Sequence, residues 1–367
     1  MKTFNSVLSA YGTSIFEEMN LLARRFDALN LGQGAPDSDG PEDVVRLAAQ
    51  ALCDNSNQYP PLMGLPSLRQ AVAVHDRRFY GLDISPDQVL VTAGATEGLA
   101  AAILALIEPG DEVVLFEPLY DSYLPMVRRA GGIPRLVRLS PPDWSLPRAQ
   151  VEAAFSDKTK LVILNSPMNP AAKVFSQDEL SFLAALIERF DAYALCDEVY
   201  EHLVFPPHAH TPLMGFPGMG DRCLRVGSAG KTLSLTGWKV GYLIAAPALL
   251  APVTKAHQFL LFTVPPNLQT AVAYGLGKED AFFDDLLAGM TEKRDRLAAG
   301  LEKIGFSLLP SQGSYFINVD IRPLGLDLDD IGFCHHMAEK AGVSAIPVSA
   351  FYGGGNARGG GGAPSHL

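Results

Sequence analysis

The chain reads Ser228-Ala229-Gly230-Lys231-Thr232, and shortly afterwards Thr236-Gly237-Trp238-Lys239-Val240-Gly241-Tyr242. Two shorter stretches precede these, Asn169-Pro170 and Asp197-Glu198-Val199-Tyr200. Together the four stretches offer lysine amines, a carboxylate, an amide, a phenol and hydroxyl groups. A protein needs these side chains to hold a phosphorylated pyridine aldehyde, so the four stretches predict one shared site.

The chemistry of that site follows from the groups themselves. A lysine can form a Schiff base with the aldehyde of pyridoxal phosphate, and a carboxylate can keep the pyridine nitrogen protonated. Asn and Tyr side chains can donate hydrogen bonds to the ring hydroxyl, while Ser and Lys can hold the phosphate. The sequence therefore predicts pyridoxal 5'-phosphate as the cofactor.

The same glycine-lysine stretch has a superficial likeness to a nucleotide-binding P-loop. A P-loop requires four residues between its two glycines, so that successive backbone N–H groups can surround a polyphosphate. Here only Ser228 and Ala229 separate Gly227 from Gly230, and Arg225 stands where the first glycine should be. We therefore reject an NTP-binding site.

Composition limits the class of protein. With 367 residues, 48% of them hydrophobic, and a mean hydropathy of +0.13, the chain is long enough for two domains around a substantial core. Its apolar stretches, such as residues 99–107, are far shorter than the roughly 20 residues of a membrane helix. The N-terminus lacks the apolar core of a secretory signal. We therefore expect a soluble, cytoplasmic protein without a membrane partner.

The net charge and the spacing of the histidines and cysteines argue against nucleic-acid binding, a metal site and disulfide bonds. The net charge of −11 and the pI near 5.2 give no electrostatic basis for binding nucleic acid. The histidines form no HExxH pair, and His335-His336 is expected on an ordinary helix, so we predict no metal site. Four cysteines without CxxC spacing predict buried thiols rather than disulfides: Cys53, Cys196, Cys223 and Cys334.

Short β-branched runs alternate with longer segments of helical period. Helices are predicted over residues 97–107 and 178–190, the second with Leu180, Leu183 and Ile187 on one face. Alternation of this kind predicts a mostly parallel sheet covered by helices, with ligands at the carboxyl ends of its strands. A further strand is expected over residues 314–319. The seven predicted strands of the sheet are residues 88–91, 112–116, 136–139, 160–165, 193–197, 223–227 and 240–245.

Ordered motifs extend across residues 30–352, and with them the chain resembles the fold-type I pyridoxal-phosphate enzymes, specifically the class I/II aminotransferases. Within that class the likeness is to the bacterial methionine aminotransferase and kynurenine aminotransferase branch. The matching stretches are Leu31-Gly32-Gln33-Gly34-Ala35-Pro36-Asp37, Asn57-Gln58-Tyr59-Pro60-Pro61, Thr92-Ala93-Gly94-Ala95-Thr96-Glu97, Tyr120-Asp121-Ser122-Tyr123 and Ile346-Pro347-Val348-Ser349-Ala350-Phe351-Tyr352.

The resemblance implies an α/β fold with two domains and a homodimer. The large domain, residues 46–275, is expected to hold the cofactor on a three-layer architecture with a mostly parallel seven-stranded sheet. A smaller α+β domain is expected to combine residues 1–45 with residues 276–352. Residues 353–367 form an aberrant glycine-rich tail in this interpretation.

The resemblance also assigns roles to individual residues. Lys231 is the catalytic residue, which bonds to the cofactor and moves the proton between the amino-acid α-carbon and the cofactor. The cofactor-binding residues are expected to be Ala95, Thr96, Tyr120, Asn169, Asp197, Tyr200, Ser228, Lys231 and Lys239, with Tyr59 reaching the phosphate from the partner subunit. Gly34, Tyr123 and Asn169 are the expected substrate-binding residues.

The implied activity is transfer of an amino group from an L-amino acid, with methionine or aromatic donors favoured, to a 2-oxo acid. A cysteine-S-conjugate β-lyase is the alternative with the same cofactor. The chain departs from the family after Tyr352, where relatives carry an arginine that grips the substrate carboxylate; only Arg358 stands in this glycine-rich segment. A shifted reading frame or an engineered end is our hypothesis for that departure, and an impaired cofactor-binding chain is a further alternative.

Overall fold

The computed structural model describes residues 2–34 and 36–353. A seven-stranded sheet in the order β2-β8-β7-β6-β5-β3-β4 forms its centre, and β8 alone runs antiparallel to its neighbours β2 and β7. The strands in this part of the chain are β1 Leu29–Asn30, β2 Val89–Thr92, β3 Glu112–Glu117, β4 Ile133–Arg138, β5 Thr159–Asn165, β6 Tyr193–Asp197, β7 Cys223–Ser228, β8 Gly241–Ile244, β9 Ser307–Leu308, β10 Val319–Asp320 and β11 Val343–Ser344.

The inner strands are apolar because helices cover both faces of the sheet. Every residue of β3 and β7 is buried, so neither strand shows the alternation of a half-exposed strand. All seven predicted strands are present, and no strand end differs from its predicted position by more than three residues. The α/β fold with a mostly parallel seven-stranded sheet is therefore confirmed.

Helices form the two outer layers, and a hydrophobic core lies on each face of the sheet. The predicted helices over 97–107 and 178–190 correspond to α4 and α7. The α-helices of the described residues are α1 Ile15–Phe26, α2 Glu42–Asp54, α3 Pro66–Tyr80, α4 Gly94–Leu106, α5 Tyr123–Arg129, α6 Arg148–Ala154, α7 Gln177–Arg189, α8 Ala229–Thr232, α9 Pro247–Leu260, α10 Pro266–Leu276, α11 Asp280–Lys303 and α12 Asp330–His336.

Two small sheets lie outside the central one. β1 pairs in parallel with β11, and β9 pairs antiparallel with β10. The first pairing joins the N-terminal segment to the last third of the chain, as the predicted smaller domain requires. The division at residues 45, 275 and 352 stays a prediction.

Three sequence expectations need comment. The strand predicted over residues 314–319 is wrong for most of its length, because Ser314 adopts a left-handed φ of 70° and only Val319 of that range is in a strand. Cys53 is exposed, whereas Cys196, Cys223 and Cys334 are buried as predicted. The predicted glycine-rich tail, with Arg358, lies outside the described residues from residue 354 onward.

In the part of the chain that the structure describes, no helix is long and apolar enough to span a bilayer.

Candidate active site

A cavity of about 530 Å³ opens at the carboxyl ends of the central strands. Asp197 and Ser228 are the last residues of β6 and β7, and α4 begins directly beyond β2. Parallel strands end at one edge, so residues distant in sequence meet there. The predicted site residues that line this cavity are Gly34, Ala95, Thr96, Tyr120, Asn169, Asp197, Tyr200, Ser228, Lys231 and Lys239.

Lys231 extends into the cavity from the short helix α8. Its Nζ donates to the backbone carbonyl of Gly34 at 2.5 Å, and lies 5.4 Å and 5.2 Å from the ring centres of Tyr200 and Tyr315. Burial lowers the pKa of Lys231 to about 8, although the nearby Asp197 carboxylate acts in the opposite direction. At pH 7 about a tenth of this amine is therefore neutral and nucleophilic, far more than for a lysine with its ordinary pKa.

Asp197 is buried at the end of β6 with one oxygen bound and one oxygen open. Its Oδ2 accepts a hydrogen bond of 2.6 Å from the Tyr123 hydroxyl, while its Oδ1 has no partner. Burial raises the pKa of Asp197 to about 6, and the Tyr123 hydrogen bond opposes that rise. At pH 7 the group is thus mainly a carboxylate, and one oxygen of this cavity-lining residue has no hydrogen-bond partner.

The start of α4 forms a compact anion-binding corner. Gly94 has a left-handed φ of 70°, and a Cβ placed on Gly241 would lie 2.6 Å from the Gly94 carbonyl carbon. Only a glycine at 241 lets β8 approach this helix start so closely. The Lys239 side chain lies against Gly94, with its Nζ 3.4 Å from the position that a Gly94 Cβ would take. Free backbone N–H groups and an ammonium therefore face the same space, which suits a phosphate.

Asn169 supplies a second open acceptor. Its backbone N–H donates to Asn165 Oδ1 at 2.7 Å, but its own buried Oδ1 has no partner. Asn165 in turn donates through Nδ2 to the backbone carbonyl of Asp197 at 2.9 Å. The two neighbouring strand ends are thereby held together, and Asn169 is fixed beside Asp197.

Two predicted residues are placed differently from the rest. Tyr123 is only 2% exposed and stands behind Asp197, so its hydroxyl acts on the carboxylate and is not among the groups lining the cavity. Its expected contact with substrate is corrected accordingly. Tyr59 is 82% exposed and packs edge-on against Phe262, away from the cavity of its own chain. That exposure is compatible with the predicted approach to a partner subunit, which stays a prediction.

The sequence did not identify several cavity residues. Phe16 and Asn20 come from α1, Thr236 follows α8, and Phe316 follows the left-handed Ser314. Phe16 and Asn20 lie in no motif with recognisable spacing, and Thr236 lies in the quoted stretch around Lys239 but was given no role. Phe316 had a weak signal, because Gly313-Ser314-Tyr315-Phe316 marks a turn that interrupts the chain near the site.

The residues present fit pyridoxal phosphate. Two buried, unpartnered oxygens on Asp197 and Asn169 require polar partners, since a buried polar atom without one costs about 1–3 kcal/mol. A protonated ring nitrogen and a ring hydroxyl are such partners. Lys231 provides an amine on one side, and the α4 corner provides an anion site on the other.

Comparisons with known proteins agree with this chemistry. The family described as Aminotransferase class I and II matches residues 27–359. A solved N-succinyldiaminopimelate aminotransferase from Mycobacterium tuberculosis is 45% identical, with a TM-score of 0.93 over 95% of this chain and 92% of its own. Methionine aminotransferase of Escherichia coli is 40% identical over 94% of this chain and 90% of its own length. Kynurenine–oxoglutarate transaminase 3 of Rattus norvegicus is 37% identical, covering 92% and 80% respectively.

The predicted family is thus confirmed by a match across most of the chain, and the predicted cofactor is the one that this family uses. The chain belongs to the class I and II aminotransferases and is a fold-type I, pyridoxal-phosphate-dependent transaminase.

Proposed function

We propose that the amino donor is an L-amino acid with a neutral, apolar side chain, methionine or an aromatic residue, and that the acceptor is a 2-oxo acid. The observation that carries this proposal is the aromatic wall of the cavity. Phe16 and Phe316 line it together with Tyr120 and Tyr200, and Phe16 and Phe316 are not assigned to the cofactor. Aromatic walls recognise thioether and aromatic side chains by apolar contact and by sulfur–ring contact.

The charges of the cavity support the same choice. Its described lining holds two cationic side chains, Lys231 and Lys239, and both are committed to the cofactor in this proposal. It also holds Asp121, whose pKa is raised by burial. A donor with a side-chain carboxylate would meet no spare cation here, so acidic donors are expected to be poor substrates.

Different site residues would contact different parts of the cofactor. Asp197 would accept from the ring nitrogen, and Asn169 and Tyr200 would face the ring hydroxyl. Tyr120 would pack on the ring face. Ser228, Lys239 and the backbone of Ala95 and Thr96 would hold the phosphate. When bound, pyridoxal phosphate acts as an electron sink that acidifies the α-carbon proton of the amino acid.

Proton transfer falls to Lys231 in this proposal. Because burial lowers its pKa to about 8, the neutral amine is accessible near pH 7 and can take the α-carbon proton. Gly34 positions that amine through its carbonyl. Gly34 and Asn169 are the described residues that we place beside the substrate, while Tyr123 acts through Asp197.

We also propose a cytoplasmic homodimer in which Tyr59 reaches the partner's cofactor phosphate. The exposed aromatic pair supports this, since Tyr59 and Phe262 remain 82% and 41% exposed in the single chain and Phe259 nearby is 83% exposed. Light scattering at micromolar concentration should give twice the chain mass. A monomer with full cofactor affinity would reject the shared site.

The donor is identified by a panel assay on the cofactor-loaded chain. L-methionine, L-phenylalanine, L-kynurenine and L-glutamate are each incubated with a common 2-oxo acid, and the new amino acid is quantified. Methionine and the aromatic donors are expected to give the highest kcat/KM. Preference for glutamate would overturn the proposal while leaving the aminotransferase class intact.

A second donor has support from one observation, the 45% identity to the M. tuberculosis N-succinyldiaminopimelate aminotransferase. That substrate belongs in the same panel, and a kcat/KM above that of methionine would favour it. The β-lyase alternative is separated by omitting the oxo acid. Release of pyruvate and ammonia from a β-substituted cysteine would then indicate elimination.

A further inference from the structure

A buried cluster of ionisable groups lies behind the active site, on the far side of the turn that follows β6. The Arg225 guanidinium is fully buried there and binds three carboxylates, those of Asp76, Glu198 and Glu201. One positive charge thus faces three negative charges in a water-poor interior. Such a cluster favours additional positive charge, because unbalanced buried charge is costly.

Two imidazoles stand at one edge of this cluster. His75, on α3, and His202, in the turn after β6, approach each other with their Nε2 atoms 2.7 Å apart. One ligand atom from each imidazole and one Glu201 oxygen all lie within 4.8 Å of one another. Two histidines and one glutamate form a known zinc ligand set.

The surroundings orient these ligands as an outer shell does in metal sites. His75 Nδ1 lies 3.3 Å from the carbonyl of Leu276, which can only accept, so Nδ1 carries the ring proton and Nε2 accepts the hydrogen bond from His202 Nε2, whose proton a bound cation would replace. The His202 ring stacks on Phe283 at 4.6 Å. Glu201 accepts from Tyr242 at 2.9 Å and from Arg225, which leaves further lone pairs on its two oxygens.

We propose that His75, Glu201 and His202 bind one divalent transition-metal ion, Zn²⁺ by ligand chemistry, as a structural site separate from the cofactor. Ligand nitrogens on one tetrahedral Zn²⁺ are about 3.4 Å apart and the two Nε2 atoms are 2.7 Å apart, so these nitrogens must separate by about 0.7 Å. His202 is partly exposed and offers a route of entry. The ion would connect α3 to the turn that follows Asp197 and carries Tyr200.

The test uses the full chain loaded with pyridoxal phosphate and stripped of metal with a chelator. ZnCl₂ is added, free metal is removed by gel filtration, and bound zinc is measured by mass spectrometry. Thermal unfolding is followed with and without ZnCl₂, and Co²⁺ replaces Zn²⁺ to give a visible absorption band of tetrahedral His ligation. His202→Asn removes a ligand, and His208→Asn, an exposed histidine of the same loop, is the control.

The expected result is about one zinc per chain, a melting temperature at least about 3 °C higher, and a Co²⁺ band, in the wild type and in His208→Asn. His202→Asn should lose all three while keeping its cofactor absorption, which shows that it is folded. Because His75 is fully buried, His75→Asn serves only as a second ligand variant. Equal zinc uptake by wild type and His202→Asn, or no uptake by the wild type, would overturn the proposal in favour of a histidine pair joined by a hydrogen bond.

Discussion

Replacing Tyr123 with phenylalanine removes the strongest of the interactions that favour the ionised form of Asp197. The Tyr123 hydroxyl donates to Asp197 Oδ2 at 2.6 Å, and both groups are buried. The pKa of Asp197 is already raised by burial to about 6, and this hydrogen bond is the largest opposing influence. Without it the carboxyl should take up its proton at a higher pH.

The magnitude follows from the strength of the bond. A hydrogen bond to a charged group contributes about 1.5–3 kcal/mol, which corresponds to a rise of about 1 to 2 in the pH midpoint of Asp197. Cofactor binding needs the carboxylate, so affinity is retained above the midpoint and lost as pH falls through it. At pH 7 the variant should bind pyridoxal phosphate about two- to tenfold more weakly than the wild type, with little difference at pH 9.

The assay is equilibrium binding of pyridoxal phosphate from pH 5.5 to 9.5, measured on wild type and Tyr123→Phe. The cofactor's own ionisations affect both proteins equally and cancel in the comparison. Tyr193→Phe, at the opposite end of the strand that carries Asp197, is the matched control and should not move the midpoint. A uniform loss of affinity at every pH would mean that Tyr123 contributes packing alone, and would refute the reasoning.

Three further predictions concern the site and its support. Lys231→Ala should lose the borohydride-stable cofactor adduct seen by mass spectrometry and slow α-proton transfer by about 10²–10⁴ fold. In the wild type, the rate of adduct formation should fall as pH drops below about 8. A rate independent of pH would contradict the placement of a buried, neutral amine. Gly241→Ala should lower the free energy of unfolding in urea by about 1–3 kcal/mol, because its Cβ would overlap the start of α4. Gly237→Ala, with open space around it, should leave that free energy almost unchanged. Equal effects of the two changes would argue against close packing between Gly241 and α4. Arg225→Met should lower the free energy of unfolding by about 3–5 kcal/mol, since it leaves three buried carboxylates without their shared guanidinium. The partly exposed Arg222→Met serves as its control. An unchanged free energy in Arg225→Met would mean that those carboxylates are protonated in the fold.

Local chemistry explains what could be predicted from the sequence. The strands are buried on both faces, so their apolar runs are visible without any knowledge of the fold. Asp197 and Ser228 end adjacent strands, and short motifs around Lys231 and Asn169 carry groups whose only common use is one cofactor. In a parallel sheet the carboxyl ends of the strands lie at one edge, so these motifs meet there. The sequence pattern of the strands predicts such a sheet, and it therefore also predicts that the motifs come together.

What could not be predicted depends on contacts between distant segments. Tyr123 lies in a recognisable motif, but only the structure shows that its hydroxyl, at the start of α5, reaches the carboxylate at the end of β6. The strand predicted over residues 314–319 was wrong because Ser314 adopts a conformation that residue type does not reveal. His75 and His202 are far apart in sequence, so no ligand spacing marks the pair.

The pairing of β1 with β11 determines the order in which the site is completed during synthesis. Leu29 and Leu31 donate to the carbonyls of Gly342 and Ser344, so these bonds can form only after nearly the whole described chain has been translated. Closing so long a loop costs about 5 kcal/mol of chain entropy, which two backbone bonds do not repay without the packing of α1. The central sheet and Lys231 leave the ribosome earlier. Gly34, which holds the lysine amine, is therefore positioned last, and a nascent chain can present Lys231 before the wall that orients it exists.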